Sequence, residues 1–374
     1  MEYIALKDVC KINMGQSPES SSYNDTGDGI PFFQGNADFG ERYPVTRIWC
    51  NSPTKIAEAG DILISVRAPI GALNYASEQC CIGRGLAALT PDQTKVSSEF
   101  IYWFLKGKKT ELNSKGTGST FKAIGRKVLE ETLVPNIGIE QQHVYAMNLE
   151  KIYSIIQLRK QELQNLDVLI KARFVEMFGD PEINPKGWKK EPLKDHAVVM
   201  VGYPFPSEGY TLEGVDIVGG YNLMQGYIQW DDSKYWPNTE GYEQYLLQAN
   251  DIVMAMDRPW VNGGFKIARV DAAHLPALLI QRTACIRGKD LKQEFLHSLL
   301  DSQRFAEHCN ITGSLVPHIS NKDINSFLVI IPPIEEQQRF TDFVAQVDKS
   351  KVAVQKALDE AQILFDSLIQ QYFG

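Results

Sequence analysis

Along Glu140–Phe178, apolar residues return at three- and four-residue steps, at Leu149, Ile152, Ile156, Leu163, Leu166, Ile170 and Met177. Moved on by 195 residues, the same positions carry Val344, Val347, Lys351, Leu358, Ala361, Phe365 and Tyr372. Where Arg159 and Arg173 interrupt the first series, Val354 and Leu368 continue the second. A seven-residue apolar repeat sustained over several heptads predicts a coiled-coil seam. Neither segment contains an internal proline or glycine, and each leaves an apolar stripe longer than one compact domain covers. Mutual pairing of two long helices follows, with Leu149, Ile152, Ile156, Leu163, Leu166, Ile170, Val347, Val354, Leu358, Phe365 and Leu368 as its seam. The alternative is two separate amphipathic helices, each packed on its own domain.

The helices belong to a larger duplication. At the same offset of 195, Glu99-Phe100 matches Glu294-Phe295, Thr117-Gly118-Ser119 matches Thr312-Gly313-Ser314, and Phe178-Gly179 matches Phe373-Gly374. The junction "VPNIGIEQQH" (Val134–His143) returns as "IPPIEEQQRF" (Ile331–Phe340), with Gln142 matching Gln337. Pro135, and then Pro332 and Pro333, end a strand and fix where the chain turns into each helix. Earlier in each copy the offset drifts: "AGDILIS" (Ala59–Ser65) matches "ANDIVMA" (Ala249–Ala255) at 190, and Gly15 matches Gly202 at 187. Insertions therefore fall in the first hundred residues of each copy.

Those variable parts read as mixed α/β. "DILISV" and "DIVMAM" predict buried strands, "GALNYAS" and "FKIARV" strands after a turn, and "SSEFIYWFL" and "QEFLHSLL" helices, the first with serine caps. "GDPEINPKGW" (Gly179–Trp188) is the linker between copies. The expected boundaries are a first domain over 1–138, a helix over 139–179, a second domain over 180–333 and a second helix over 334–374.

At 374 residues the chain exceeds one ordinary core. No stretch of eighteen apolar residues occurs, the start "MEYIALKDVC" lacks a secretion pattern, and the six cysteines form no CxxC pair. A cytoplasmic protein with reduced thiols is expected. Net charge is −8, mildly against a nucleic-acid partner, yet residues 1–140 carry 15 basic and 16 acidic groups and can present a basic face.

No catalytic constellation is present: no GxxxxGK[ST] loop, no GxGxxG after a strand, no GxSxG, and no polar residue before the prolines of "IPPI" to complete a base-methylation motif. His297, His308 and Cys309 lack an evident fourth metal ligand. The chain is therefore expected to be no enzyme by itself and to hold no cofactor or metal. What remains are residues suited to polynucleotides. "KGTGSTFKAI" (Lys115–Ile124) and "CNITGSLVPHI" (Cys309–Ile319) combine glycine with hydroxyls and cations, making Lys115, Ser119, Lys122 and Ser314 candidate phosphate contacts. Gln34, Asn36, Tyr221 and Asn222 lie among aromatics in loops, where Asn and Gln can bond adenine. Arg67, Arg84, Arg258 and Arg282 stand at the ends of predicted strands.

The two-copy plan, "AGDILISVR" with "CIGRGLAAL", the "TGS…I" element and the proline/IExQ junction together resemble the specificity subunit of type I restriction–modification enzymes. The resemblance covers nearly the whole chain. It implies an α+β architecture: two mixed α/β target recognition domains in a pseudo-two-fold repeat, separated by two long helices forming an antiparallel coiled coil. It also implies a bipartite, asymmetric double-stranded DNA site, two methyltransferase (M) subunits and endonuclease/translocase (R) subunits as partners. S-adenosylmethionine, ATP and Mg would belong to those partners. The competing reading is a coiled-coil scaffold for protein interactions without DNA reading.

Overall fold

The computed structural model describes residues 2–118, 122–261, 264–310 and 317–374. The chain divides into two compact units: Met1–Gln161 with Gln355–Gly374, and Glu162–Val354. Each long helix contributes to both units. The first runs over Ile139–Phe178 and the second over Ile334–Phe373.

In the first unit a four-stranded antiparallel sheet has the order Cys10–Met14, Leu86–Pro91, Ile62–Ser65, Leu73–Tyr75. Every residue of Ile62–Ser65 is buried, as expected of a continuous apolar run between turn residues. A second sheet, of short strands, runs Tyr23–Asn24, Trp49–Cys50, Ile30–Phe33, Cys80–Ile82, Ile56–Ala57. Helix Ser98–Gly107 starts where the Ser97 hydroxyl accepts from the Phe100 amide at 3.1 Å. Phe100 through Leu105 are all buried because this helix is packed on more than one side. The seam residues Leu149, Ile152 and Ile156 of the first long helix share one core with Leu358, Phe365 and Leu368 of the second. The Tyr145 ring stacks on Tyr372 at 3.7 Å, and Tyr153 meets Phe365 at 6.2 Å. As the first number rises the second falls, so the helices pack antiparallel within this unit.

The second unit repeats the plan. Its sheet runs Ala197–Val201, Thr283–Gly288, Ile252–Ala255, Ile267–Arg269, again antiparallel, and its helix Gln293–Leu300 answers Ser98–Gly107. The remaining strands differ: Lys234–Trp236, Val215–Val218 and Ala277–Leu279 form a three-stranded sheet. Phe174 meets Phe340 at 5.6 Å, and Lys351 pairs with Asp167, an antiparallel packing inside this unit as well. Ile170 packs on its core; Leu163 and Leu166 are half-buried, and Val347 and Val354 are buried.

Two repeated residues show why the duplication is so regular. The amides of Gly15 and Gly202 donate to the carbonyls of Leu86 and Thr283, at 2.9 and 3.1 Å. A Cβ at either would lie 2.2 or 2.0 Å from a backbone oxygen, of Gly83 or Ile280, so only glycine permits the approach. At the helix junctions, buried Gln142 accepts from the Ser97 amide at 2.9 Å and donates to the carbonyls of Ile137 and Lys95. Buried Gln337 accepts from the Lys292 amide at 2.9 Å and donates to the carbonyl of Pro332. The echoed glutamine thus ties the start of each long helix to the residue that opens the neighbouring short helix.

Candidate nucleic-acid interface

In the first unit a ladder of backbone bonds joins four predicted contacts. The Gly85 amide donates to Gln34, Val66 to Gly85, Ile124 to Val66 and Ala68 to Lys122, at 2.9–3.1 Å. This brings Gln34, Arg67, Arg84 and Lys122 to one edge, all exposed. The Ser17 hydroxyl accepts from the Arg84 amide at 3.3 Å and steadies that turn, a role the sequence did not advertise. Asn36 is half-buried and opens a short turn, Asn36–Asp38, in which the Asp38 carboxylate accepts from the amides of Gln34 and Gly35. Lys115 is exposed but pairs with Glu111 at 2.6 Å, which reduces its availability to phosphate.

The same ladder recurs in the second unit. Met256 donates to Arg282, Ile319 to Met256 and Arg258 to Pro317, at 2.8–3.0 Å. Arg258 and Arg282 are exposed, with left-handed φ of 47° and 64°. Such backbone costs an L-residue about 1–2 kcal/mol, and strain of this kind gathers at functional edges. Asp257 joins the pair, forming an ion pair with Arg282 Nε at 3.2 Å and a hydrogen bond with His318. Neither Asp257 nor His318 was a sequence candidate; their only sequence sign is position, next to Arg258 and beside the TGS loop. Ser119 and Ser314 lie outside the described residues.

Two expectations need correction. Asn222 is wholly buried: its carbonyl accepts from the Gly219 amide at 2.9 Å, and its amide donates to the Ile217 carbonyl and the Ser233 hydroxyl. Tyr221 donates its hydroxyl to the Ile217 carbonyl at 2.7 Å and accepts from the Lys234 amide. Burial pushes that phenol up to about 12. Both side chains hold a loop together and have no group left for a base edge.

Burial raises the thiols of Cys10, Cys80 and Cys309 to about 12, leaving them inert. Among the described residues no group of three His, Cys, Asp or Glu is placed to hold a metal ion, and no helix is long and apolar enough to cross a membrane.

Two compact units repeat one α/β plan, each taking part of both long helices and each carrying exposed arginines on the same backbone ladder. The family model described as the type I restriction modification DNA specificity domain matches residues 1–167 and 237–362. The chain belongs to that family. It is 43% identical over 157 residues to a protein named as the type I restriction enzyme MjaX specificity subunit of Methanocaldococcus jannaschii, covering 42% of this chain and 37% of that one. It is 32% identical over 193 residues to the EcoAI specificity subunit of Escherichia coli, covering 49% and 33%. These alignments span about a third of each relative's length. The fold matches the S subunit of a type I system from M. genitalium, with a TM-score of 0.58 at 14% identity, over 100% of this chain and 96% of that one.

Proposed function

We propose that this chain is the DNA-reading subunit of a type I restriction–modification complex, with one half of a bipartite, asymmetric site assigned to each unit. The observation that carries the reading is the repeated ladder: Arg67, Arg84 and Lys122 in one unit, Arg258 and Arg282 in the other. An exposed cation held by backbone bonds at a strand end suits phosphate or guanine. The halves should differ because the strands and loops around the two ladders differ. A 40-residue helix is roughly 60 Å long at ~1.5 Å per residue, enough for a spacer between half-sites one DNA turn apart. Catalysis, with S-adenosylmethionine, ATP and Mg, is assigned to methyltransferase and endonuclease/translocase partners.

Apolar side chains left in solvent on the long helices support partner docking. In the first unit Leu158 is 68% and Ile363 70% exposed; in the second, Val168 is 63% and Val352 71% exposed. Arg173, which breaks the seam pattern, pairs with Glu176 at 2.8 Å and lies over the Phe343 ring.

The test is DNA binding by the complex reconstituted with its methyltransferase, as a function of salt. Affinity should fall log-linearly as salt rises, because neutralised phosphates release counterions. Binding that is absent or indifferent to salt would return the chain to the scaffold reading.

A further inference from the structure

The two ladders carry their charges on different strands. The bonds from Val66 N–H to Gly85 and from Ile124 N–H to Val66 correspond to those from Met256 N–H to Arg282 and from Ile319 N–H to Met256. Arg67 therefore stands where Asp257 stands, and Gly85 where Arg282 stands. The cross-strand bridges agree: Arg67 opposes Ala123, and Asp257 opposes His318. In the first unit no side chain fits at the second of these positions, because a Cβ on Gly85 would lie 2.3 Å from the Gln34 carbonyl oxygen. The second unit reverses both residues. The cation of this rung moves to the neighbouring strand, roughly 4.8 Å away, and a carboxylate takes the place it left.

A carboxylate at a DNA-facing edge repels phosphate, so it needs a compensating role there. Asp257 Oδ1 bonds His318 Nδ1, while Oδ2 lies 3.2 Å from Arg282 Nε. The bonds from Ile319 N–H to Met256 and from Arg258 N–H to Pro317 fix the main chain on either side of Asp257, and His318 fixes its carboxylate. Arg282 is held at its own backbone by the bond from Met256 and by a φ of 64°, inside the small left-handed well. Its side chain is 73% exposed and gives no hydrogen bond to the described residues, so its five N–H donors stay available. An exposed arginine left alone samples many rotamers, and ordering it on binding weakens affinity. The ion pair with Asp257 removes part of that freedom before DNA arrives.

We propose that Asp257 is a positioning residue: it sets the Arg282 guanidinium to meet two coplanar acceptors on DNA, with His318 holding the carboxylate in place. The N7 and O6 atoms of a guanine and two oxygens of a phosphate share this form. The inference rests on the DNA-reading function proposed above. It gives the second unit a contact that the first cannot make at the same rung, where Gly85 has no side chain.

The experiment uses the full chain reconstituted with the proposed methyltransferase partner. The wild-type complex selects from a randomised duplex library, and the selected duplex is compared with a scrambled duplex of the same composition. Asp257→Asn removes a negative charge with little change in volume, so a carboxylate that only repels phosphate predicts tighter binding of both duplexes. The positioning role predicts the opposite sign: the selected duplex binds about two- to fivefold more weakly, the range of an exposed ion pair. In the Arg282→Ala background, Asp257→Asn should no longer weaken binding. Unchanged or tighter binding of the selected duplex, or an equal loss with and without Arg282, would overturn the proposal. A wild-type complex that selects no sequence would instead overturn the DNA-reading function, and this inference with it. Repeating the selection with Arg282→Ala separates the two acceptors. Loss of a guanine preference at one position means a base edge; an unchanged motif, with both duplexes bound more weakly, means a phosphate.

Discussion

Replacing Gln142 by alanine removes one acceptor and two donated bonds at the foot of the first long helix. The Ser97 amide and the Ile137 carbonyl are left without that partner, and a buried group left unmatched costs about 1–3 kcal/mol. Lys95 is exposed, so water can recover the bond to its carbonyl. The expected loss is about 2–6 kcal/mol, or about 4–24 °C in melting temperature for a unit of this size. Gln337→Ala, which strands the Lys292 amide and the Pro332 carbonyl, should fall in the same range. The assay is thermal and urea denaturation followed by tryptophan fluorescence. Gln142→Leu separates bonding from packing, since leucine restores most of the volume but none of the bonds. If Gln142→Leu melts with the wild type, the account of the junction as a hydrogen-bonded splice is wrong.

Four further outcomes are expected. Arg67→Ala and Arg282→Ala should each reduce the log–log salt slope of DNA binding by about 1, measured on the reconstituted complex, if each neutralises one phosphate. Leu158→Asp and Val352→Asp should weaken co-purification with the proposed methyltransferase partner while shifting the melting of the isolated chain by less than about 2 °C, because both side chains stand in solvent. Gly202→Ala should destabilise by more than about 1 kcal/mol, read from urea midpoints, because its Cβ would collide with the Ile280 carbonyl. His196 lies between Asp290 at 2.9 Å and Glu191 at 2.7 Å. Burial disfavours its charge, but the two carboxylates outweigh burial and raise it above the usual 6.5, while Lys189 and His196 lower Glu191 below 4.5. The histidine's contribution is therefore complete below about pH 6.5 and lost as pH climbs through the raised value; the glutamate's is lost as pH falls through its lowered one. The difference in melting temperature between wild type and His196→Asn should be largest between those limits and shrink as pH rises past the raised histidine value.

Much of the fold was legible because it obeys simple periods. The 3.5-residue repeat marked both long helices, and the runs around Ile62–Ser65 and Ile252–Ala255 marked central strands, since buried strands must be apolar on both faces. The Ser97 cap was readable from the serines ahead of "EFIYWFL". The repeated glutamine was visible as a repeat, but not its role: nothing local says that Gln142 reaches across 45 residues to Ser97. The positions of the candidate residues were half legible. Arginines at strand ends gather on one ladder in each unit, because the two copies pair their strands alike. Asn222 and Tyr221 misled because a loop of aromatics and amides looks the same whether its polar groups face solvent or satisfy the loop's own backbone.

The most direct measurement is the methylation pattern of genomic DNA from cells carrying this chain with the proposed methyltransferase partner, read at single-base resolution. Two unlike defined half-sites flanking unread base pairs, with exchange of residues 1–138 for those of another family member altering one half alone, is the predicted result. A continuous palindrome, or both halves changing together, would contradict the assignment of one half-site to each unit.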